Sequence, residues 1–114
     1  MIVKINNKKF TITLEQNPTT NELKKLINEN GSLKVMFSDY GGFEKVGYLI
    51  KKLPHNDKHI RTEVGDIVLY DADKIVIFYG SNSWSYTKIG RINEISQFKQ
   101  ILSSGTQEII FKLE

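Results

Sequence analysis

The chain has no cysteine, only two prolines, two histidines and one tryptophan in 114 residues. Without cysteine there are no disulfides, no thiolate metal sites and no thiol nucleophile. No apolar run approaches the roughly 18 residues that a membrane-spanning helix requires. The opening Met1-Ile2-Val3-Lys4-Ile5 alternates like a strand and lacks the apolar stretch and small-residue cleavage site of a secretory signal. A cytoplasmic protein without a membrane partner is expected. Charge of one sign is also scarce. The formal balance is +3, and acids interrupt the lysines at Lys8, Lys9, Lys24, Lys25, Lys51 and Lys52. Nucleic-acid binding calls for basic residues gathered on one face or helix, so no nucleic-acid partner is expected.

What is present suits a single domain over residues 1–114, with 39% apolar and 25% charged residues. Strand patterns dominate. Val3 and Ile5 alternate with their neighbours, Asn6-Asn7-Lys8 offers a tight turn, and Phe10, Ile12 and Leu14 complete a hairpin. Thr19 and Glu22 have capping-box spacing, which predicts a helix over residues 20–30 with Leu23, Leu26 and Ile27 inward and Gly31 at its end. Leu33, Val35 and Phe37 mark a half-buried strand, and an extended segment follows over residues 43–50. Residues 51–61, with Pro54, His55 and His59, read as a long surface connection. A strand is expected over residues 62–70 around Gly65-Asp66. There the glycine permits a bend and the aspartate can hold neighbouring amides. Residues 75–78 are apolar on both sides and predict burial on both faces. Residues 80–87 read as a polar, aromatic loop and 89–92 as a short strand. Asn93 is placed to cap a second helix carrying Ile95, Phe98, Ile101 and Leu102, and a last strand presents Ile109, Phe111 and Leu113. About eight short strands with two short helices call for a closed barrel or a sandwich, since closure removes exposed edges.

Particular segments narrow the choice. Phe37-Ser38-Asp39, Glu44-Lys45-Val46-Gly47-Tyr48-Leu49 and Leu53-Pro54 resemble the first half of a bacterial and archaeal cyclophilin-like domain family. Gly65-Asp66-Ile67-Val68-Leu69-Tyr70, Ile75-Val76-Ile77-Phe78-Tyr79-Gly80 and the run from Ser81 to Ile92 resemble its second half. The resemblance implies a mainly β fold, a closed eight-stranded cyclophilin-like barrel with two short α-helices. Prolyl isomerases of that fold place an arginine two residues after a phenylalanine. Here Phe37 is followed at that spacing by Asp39, of the wrong charge. The resemblance therefore carries the fold and not the chemistry.

The segment Ser81-Asn82-Ser83-Trp84-Ser85-Tyr86-Thr87 is the leading candidate site, because its flat aromatic faces and hydroxyls suit the rim of a ligand pocket. The alternative is a Trp84 that plugs one barrel end while the serines satisfy a turn. His55, Asp57 and His59 have metal-ligand chemistry, but their spacing aligns two imidazoles only on a helix, and Pro54 argues for a loop. Ser81, Ser83 and Ser85 lack the strand-turn-helix elbow of a hydrolase nucleophile. Arg91 can clamp a carboxylate or phosphate if it faces a pocket, and is otherwise a solvated strand residue. The expectation is a binding module for a peptide segment or small-molecule ligand, with Phe37, Tyr48, Ser81, Ser83, Trp84, Tyr86 and Arg91 at its site. No catalytic residue, metal or cofactor is expected, and the protein should be a monomer or weak dimer. A weak prolyl isomerase is the alternative.

Overall fold

Asn6 (φ 51°) and Asn7 (φ 66°) are both left-handed, and they form the two-residue turn between β1 (Ile2–Ile5) and β2 (Lys8–Leu14). Asparagine tolerates that backbone region, and such a turn matches the right-handed twist of the strands it joins. The structure, a computed structural model, describes residues 1–96, 98–102 and 105–113.

Helix α1 (Pro18–Asn30) starts earlier than the Thr19/Glu22 spacing suggests. Asn17 is the cap: its side chain accepts from the Thr20 amide at 2.9 Å, while the Thr20 hydroxyl accepts from the Asn17 amide at 3.2 Å. Threonine thus fills the role assigned to glutamate, and Pro18 fits a first turn whose amide needs no helical partner. Asn17 also donates to the Lys88 carbonyl at 2.9 Å, which ties the helix start to the sheet. Leu23, Leu26 and Ile27 are buried as expected, and Gly31 (φ 79°) ends the helix.

The remaining strands are β3 (Leu33–Tyr40), β4 (Glu44–Tyr48), β5 (Lys58–Arg61), β6 (Asp66–Tyr70), β7 (Lys74–Phe78), β8 (Ser83–Ile92) and β9 (Gln107–Lys112). Neighbours run in the order β2-β1-β9-β3-β4-β7-β6-β8, and β8 pairs back onto β2. Every pairing is antiparallel, and the result is a closed eight-stranded barrel.

A ninth strand lies outside this circuit. Among the described residues β5 pairs only with the outer half of β8, Ile60 opposite Trp84 and Lys58 opposite Tyr86. Two sequence expectations are corrected here. Residues 80–87 are not a loop, since β8 runs unbroken from Ser83, and the connection over residues 51–61 contains a strand. Alternating serines and aromatics are what an edge ribbon exposed on one side looks like, and the same letters also spell a polar loop.

The second helix, α2 (Phe98–Leu102), is shorter than expected, and Asn93 does not cap it. The Asn93 side chain instead accepts from the Thr13 hydroxyl at 2.8 Å and donates to that of Thr11 at 2.9 Å. Gly65 (φ 93°) turns the chain into β6, and Asp66 accepts from the Glu63 amide at 2.9 Å, so the strand begins at Asp66 and not at residue 62.

Two apolar clusters divide the molecule. The larger fills the barrel with Phe37, Leu69, Ile75, Ile77, Ile109 and Phe111 among others, and α1 and α2 contribute Leu23, Ile27, Phe98 and Leu102. The smaller sits outside the wall: Val68, Val76, Phe78 and Tyr86, flanked by Phe43, Val46 and Ile60. Residues 75–78 are all buried, and each face of β7 serves a different cluster. No helix among the described residues is long and apolar enough to cross a membrane.

Candidate functional site

On the outer face of β4, β7 and β6, opposed residues form rows. Val46 faces Val76, which faces Val68, while Tyr48 faces Lys74, which faces Tyr70. Glu44 faces Phe78 on one side and Tyr40 on the other. Opposed residues of an antiparallel pair share a face, so Tyr40, Glu44, Val46, Tyr48, Tyr70 and Lys74 line one surface. The β8 ribbon runs along it and adds Trp84 and Tyr86, with Asn82 just before the strand. Together these nine residues enclose an open groove of about 390 Å³. Five of the nine are aromatic.

The rings are held by contacts beneath them. Tyr86 packs edge-on against Phe78 at 5.5 Å and against Tyr70 at 6.0 Å between ring centres. Its hydroxyl accepts from Asn82 Nδ2 at 2.8 Å, and the Asn82 backbone is fixed to Thr62, whose hydroxyl accepts from the Asn82 amide at 3.0 Å. Tyr40 packs edge-on against Phe43 at 6.3 Å. Trp84 is 55% exposed, so it does not plug a barrel end.

Two charged residues line the groove. Lys74 Nζ sits 5.3 Å from the centre of the Tyr48 ring and is paired with Asp71 at 3.1 Å and Asp73 at 3.0 Å. The hydrogen bonds to Asp73 and then Asp71 push its pKa up. Glu44 is different. It is only 7% exposed, and among the described residues no hydrogen bond or ion pair reaches its carboxyl. Burial alone pushes its pKa up to about 7.

Of the residues singled out from the sequence, Tyr48, Trp84 and Tyr86 meet in this groove. Phe37 does not. It is fully buried inside the barrel, 6.2 Å from the Phe111 ring, because it points to the opposite side of the sheet from Tyr40. Ser81 and Ser83 are exposed but outside the groove wall, Ser83 standing opposite Arg61 at the ribbon edge. Arg91 is committed elsewhere, 2.9 Å from Glu63 and 3.0 Å from the buried Asp66 carboxylate. It anchors the Gly65 turn. Asp39, at the spacing where isomerases carry arginine, lies on the inner side with fully buried Lys45 (3.0 Å) and accepts from the Tyr79 hydroxyl at 3.0 Å. Burial works against its charge, but Lys45, Tyr79 and the Gly105 amide together hold its carboxyl below the ordinary value.

His55 lies 3.5 Å from Asp57, and His59 is exposed on β5 opposite Ser85. Among the described residues no three His, Cys, Asp or Glu side chains converge as a metal set. A second hollow of about 420 Å³ lies between the start of α1 and residues 54–60. Its wall residue Thr87 donates to Asp57 at 2.7 Å and accepts from the amide of another wall residue, Asn56, at 2.9 Å.

Asn82 lay within the candidate segment, whereas Glu44, Val46, Tyr70 and Lys74 were not anticipated as site residues. Glu44 has a signal in the sequence, since Glu44, Val46 and Tyr48 alternate onto one face and a carboxylate is out of place beside them. In comparison with known proteins, a family model described as "Cyclophilin-like family" matches residues 3–114. No curated protein and no solved structure matches the chain.

Proposed function

Since the chain belongs to the cyclophilin-like family, we propose that its barrel is a non-catalytic binding module whose outer-face groove takes a peptide segment or a small ligand. One observation carries this reading: a hollow of about 390 Å³, walled by five aromatic side chains, on a surface that includes Tyr40, Tyr48 and Trp84 as exposed rings. Single exposed apolar residues are ordinary, but a contiguous aromatic surface around a concavity of several hundred Å³ is the usual form of a ligand site. The rings stand on two rigid supports, the β4-β7-β6 wall and the β8 ribbon, so little ordering is needed when a ligand enters. Among the described residues that line the hollow there is no serine, threonine, cysteine or histidine, which supports binding over turnover.

The test follows the fluorescence of Trp84, the sole tryptophan, during titration with proline-containing peptides and pooled metabolites. A saturable change that is lost in Tyr86→Ala supports the reading. A tryptophan that stays silent across both libraries refutes it.

A further inference from the structure

We propose that the groove, read as a ligand site, recognises a positively charged ammonium group carried by a small organic ligand, with Glu44 as counter-charge and the nearby Tyr40 and Tyr86 rings as the surfaces the cation meets. The inference rests on the binding reading above and adds the chemistry of the occupant.

Three features of the groove converge. First, aromatic faces carry a negative quadrupole that attracts cations within about 6 Å of the ring centre. Lys74 already lies 5.3 Å from the Tyr48 ring, so this wall accepts a cation in the folded protein. Second, the Glu44 carboxyl lines the hollow at 7% exposure without a hydrogen-bonding or ionic partner among the described residues. A carboxylate taken out of water is unfavourable unless an opposite charge or donors meet it. Third, the built-in cation cannot supply that charge. Lys74 is held by Asp71 and Asp73. It also stands four residues from Phe78, the partner of Glu44, which is roughly 13 Å along β7. The groove thus has a neutralised cation at one end and an unanswered acid at the other. An anionic ligand would meet Glu44 with the wrong sign, and a purely apolar one would leave the acid buried and unpaired.

The ionisation of Glu44 gives a second readout. Burial pushes its carboxyl up to about 7, so near neutral pH a large fraction carries a proton. An arriving cation favours the carboxylate, and that proton leaves to solvent. The titratable groups around Glu44 are Tyr40 of β3, Tyr79 after β7 and Tyr86 of β8, with Lys45 beside it on the inner side. Burial foremost, then the Asp39 carboxylate for Tyr79, and the Glu44 charge for both, hold the Tyr79 and Tyr86 hydroxyls above their ordinary value. These two stay protonated between pH 5.5 and 8, so among the groove residues with a displaced pKa only Glu44 changes charge in that window, His55 and His59 lying outside the groove lining.

The experiment compares choline with its uncharged isostere 3,3-dimethylbutan-1-ol on the full chain, by Trp84 fluorescence and by calorimetry in buffers of different ionisation enthalpy. The expected result is choline binding at least tenfold tighter than the alcohol at pH 8. Its affinity should weaken about tenfold as pH falls to 5.5, with proton release at pH 7, while the alcohol shows no pH dependence. In Glu44→Gln the tenfold preference for choline should vanish. The comparison of isosteres on the unaltered protein stands even if that variant does not fold. Equal affinity for the two probes, or choline binding that ignores pH, overturns the charge inference. Failure of choline alongside binding of uncharged peptides or metabolites overturns it too, and leaves the groove as a ligand site. Silence of Trp84 toward every probe, charged and uncharged, removes both readings.

Discussion

Glu44 shares its outer face with Val46 and Tyr48, and burial there raises its pKa from the ordinary 4.5 to about 7. In the folded state it binds its proton over a range where the unfolded chain has lost it. Between those two values the folded protein therefore holds more protons, and stability falls as pH rises from about 4.5 to about 7. Below that window Glu44 exerts no penalty. Above it the full penalty applies. Glu44→Gln, which cannot ionise, should match the unaltered protein in denaturant midpoint at pH 4.5 and exceed it at pH 8. Parallel pH profiles for the two proteins would show that Glu44 is solvated or paired in solution. Carboxyl groups with raised pKa values cluster at functional sites, which supports the role proposed for the groove.

At the scale of elements, the barrel closes where β2 meets β8, over Ile12 with Ile92, Thr13 with Arg91 and Leu14 with Gly90. Gly90 permits this approach, since a Cβ there would lie 2.5 Å from the Thr13 carbonyl oxygen. Backbone cannot move aside as a side-chain end can, so Gly90→Ala should destabilise by about 1–3 kcal/mol. Amide exchange should accelerate along residues 12–14 first, and uniform exchange across the sheet would contradict a local seam. The periodic strands were readable in the sequence because each has one face in the barrel: β1, β2, β3 and β9 follow their alternation. β8 was not, because its outer half pairs with β5 beyond the barrel and has no apolar stripe of its own, so Ser83, Trp84 and Ser85 are all exposed. The cap of α1 was misplaced by two residues for a similar reason. Asn17 is fixed as much by the distant Lys88 carbonyl as by its own helix.

At the scale of the whole molecule, the closed barrel came from the resemblance together with the count of strands, and the match over residues 3–114 agrees with it. The groove was only half readable. Tyr48, Trp84 and Tyr86 stood out as aromatic residues, but which side of the wall each faces depends on register, and Phe37 turns inward where Tyr40 turns outward. In the proposed binding role, ligands enter between the β4-β7-β6 wall and the β8 ribbon. The most direct measurement is the indole N–H resonance of Trp84, observed with the backbone amides while a bound ligand is titrated in. This resonance should shift in step with the amides of Glu44, Tyr48, Asn82 and Tyr86. A ligand that binds while those signals stay fixed, and moves the amides of Asn17, His55 and Lys88 around the second hollow instead, would contradict it.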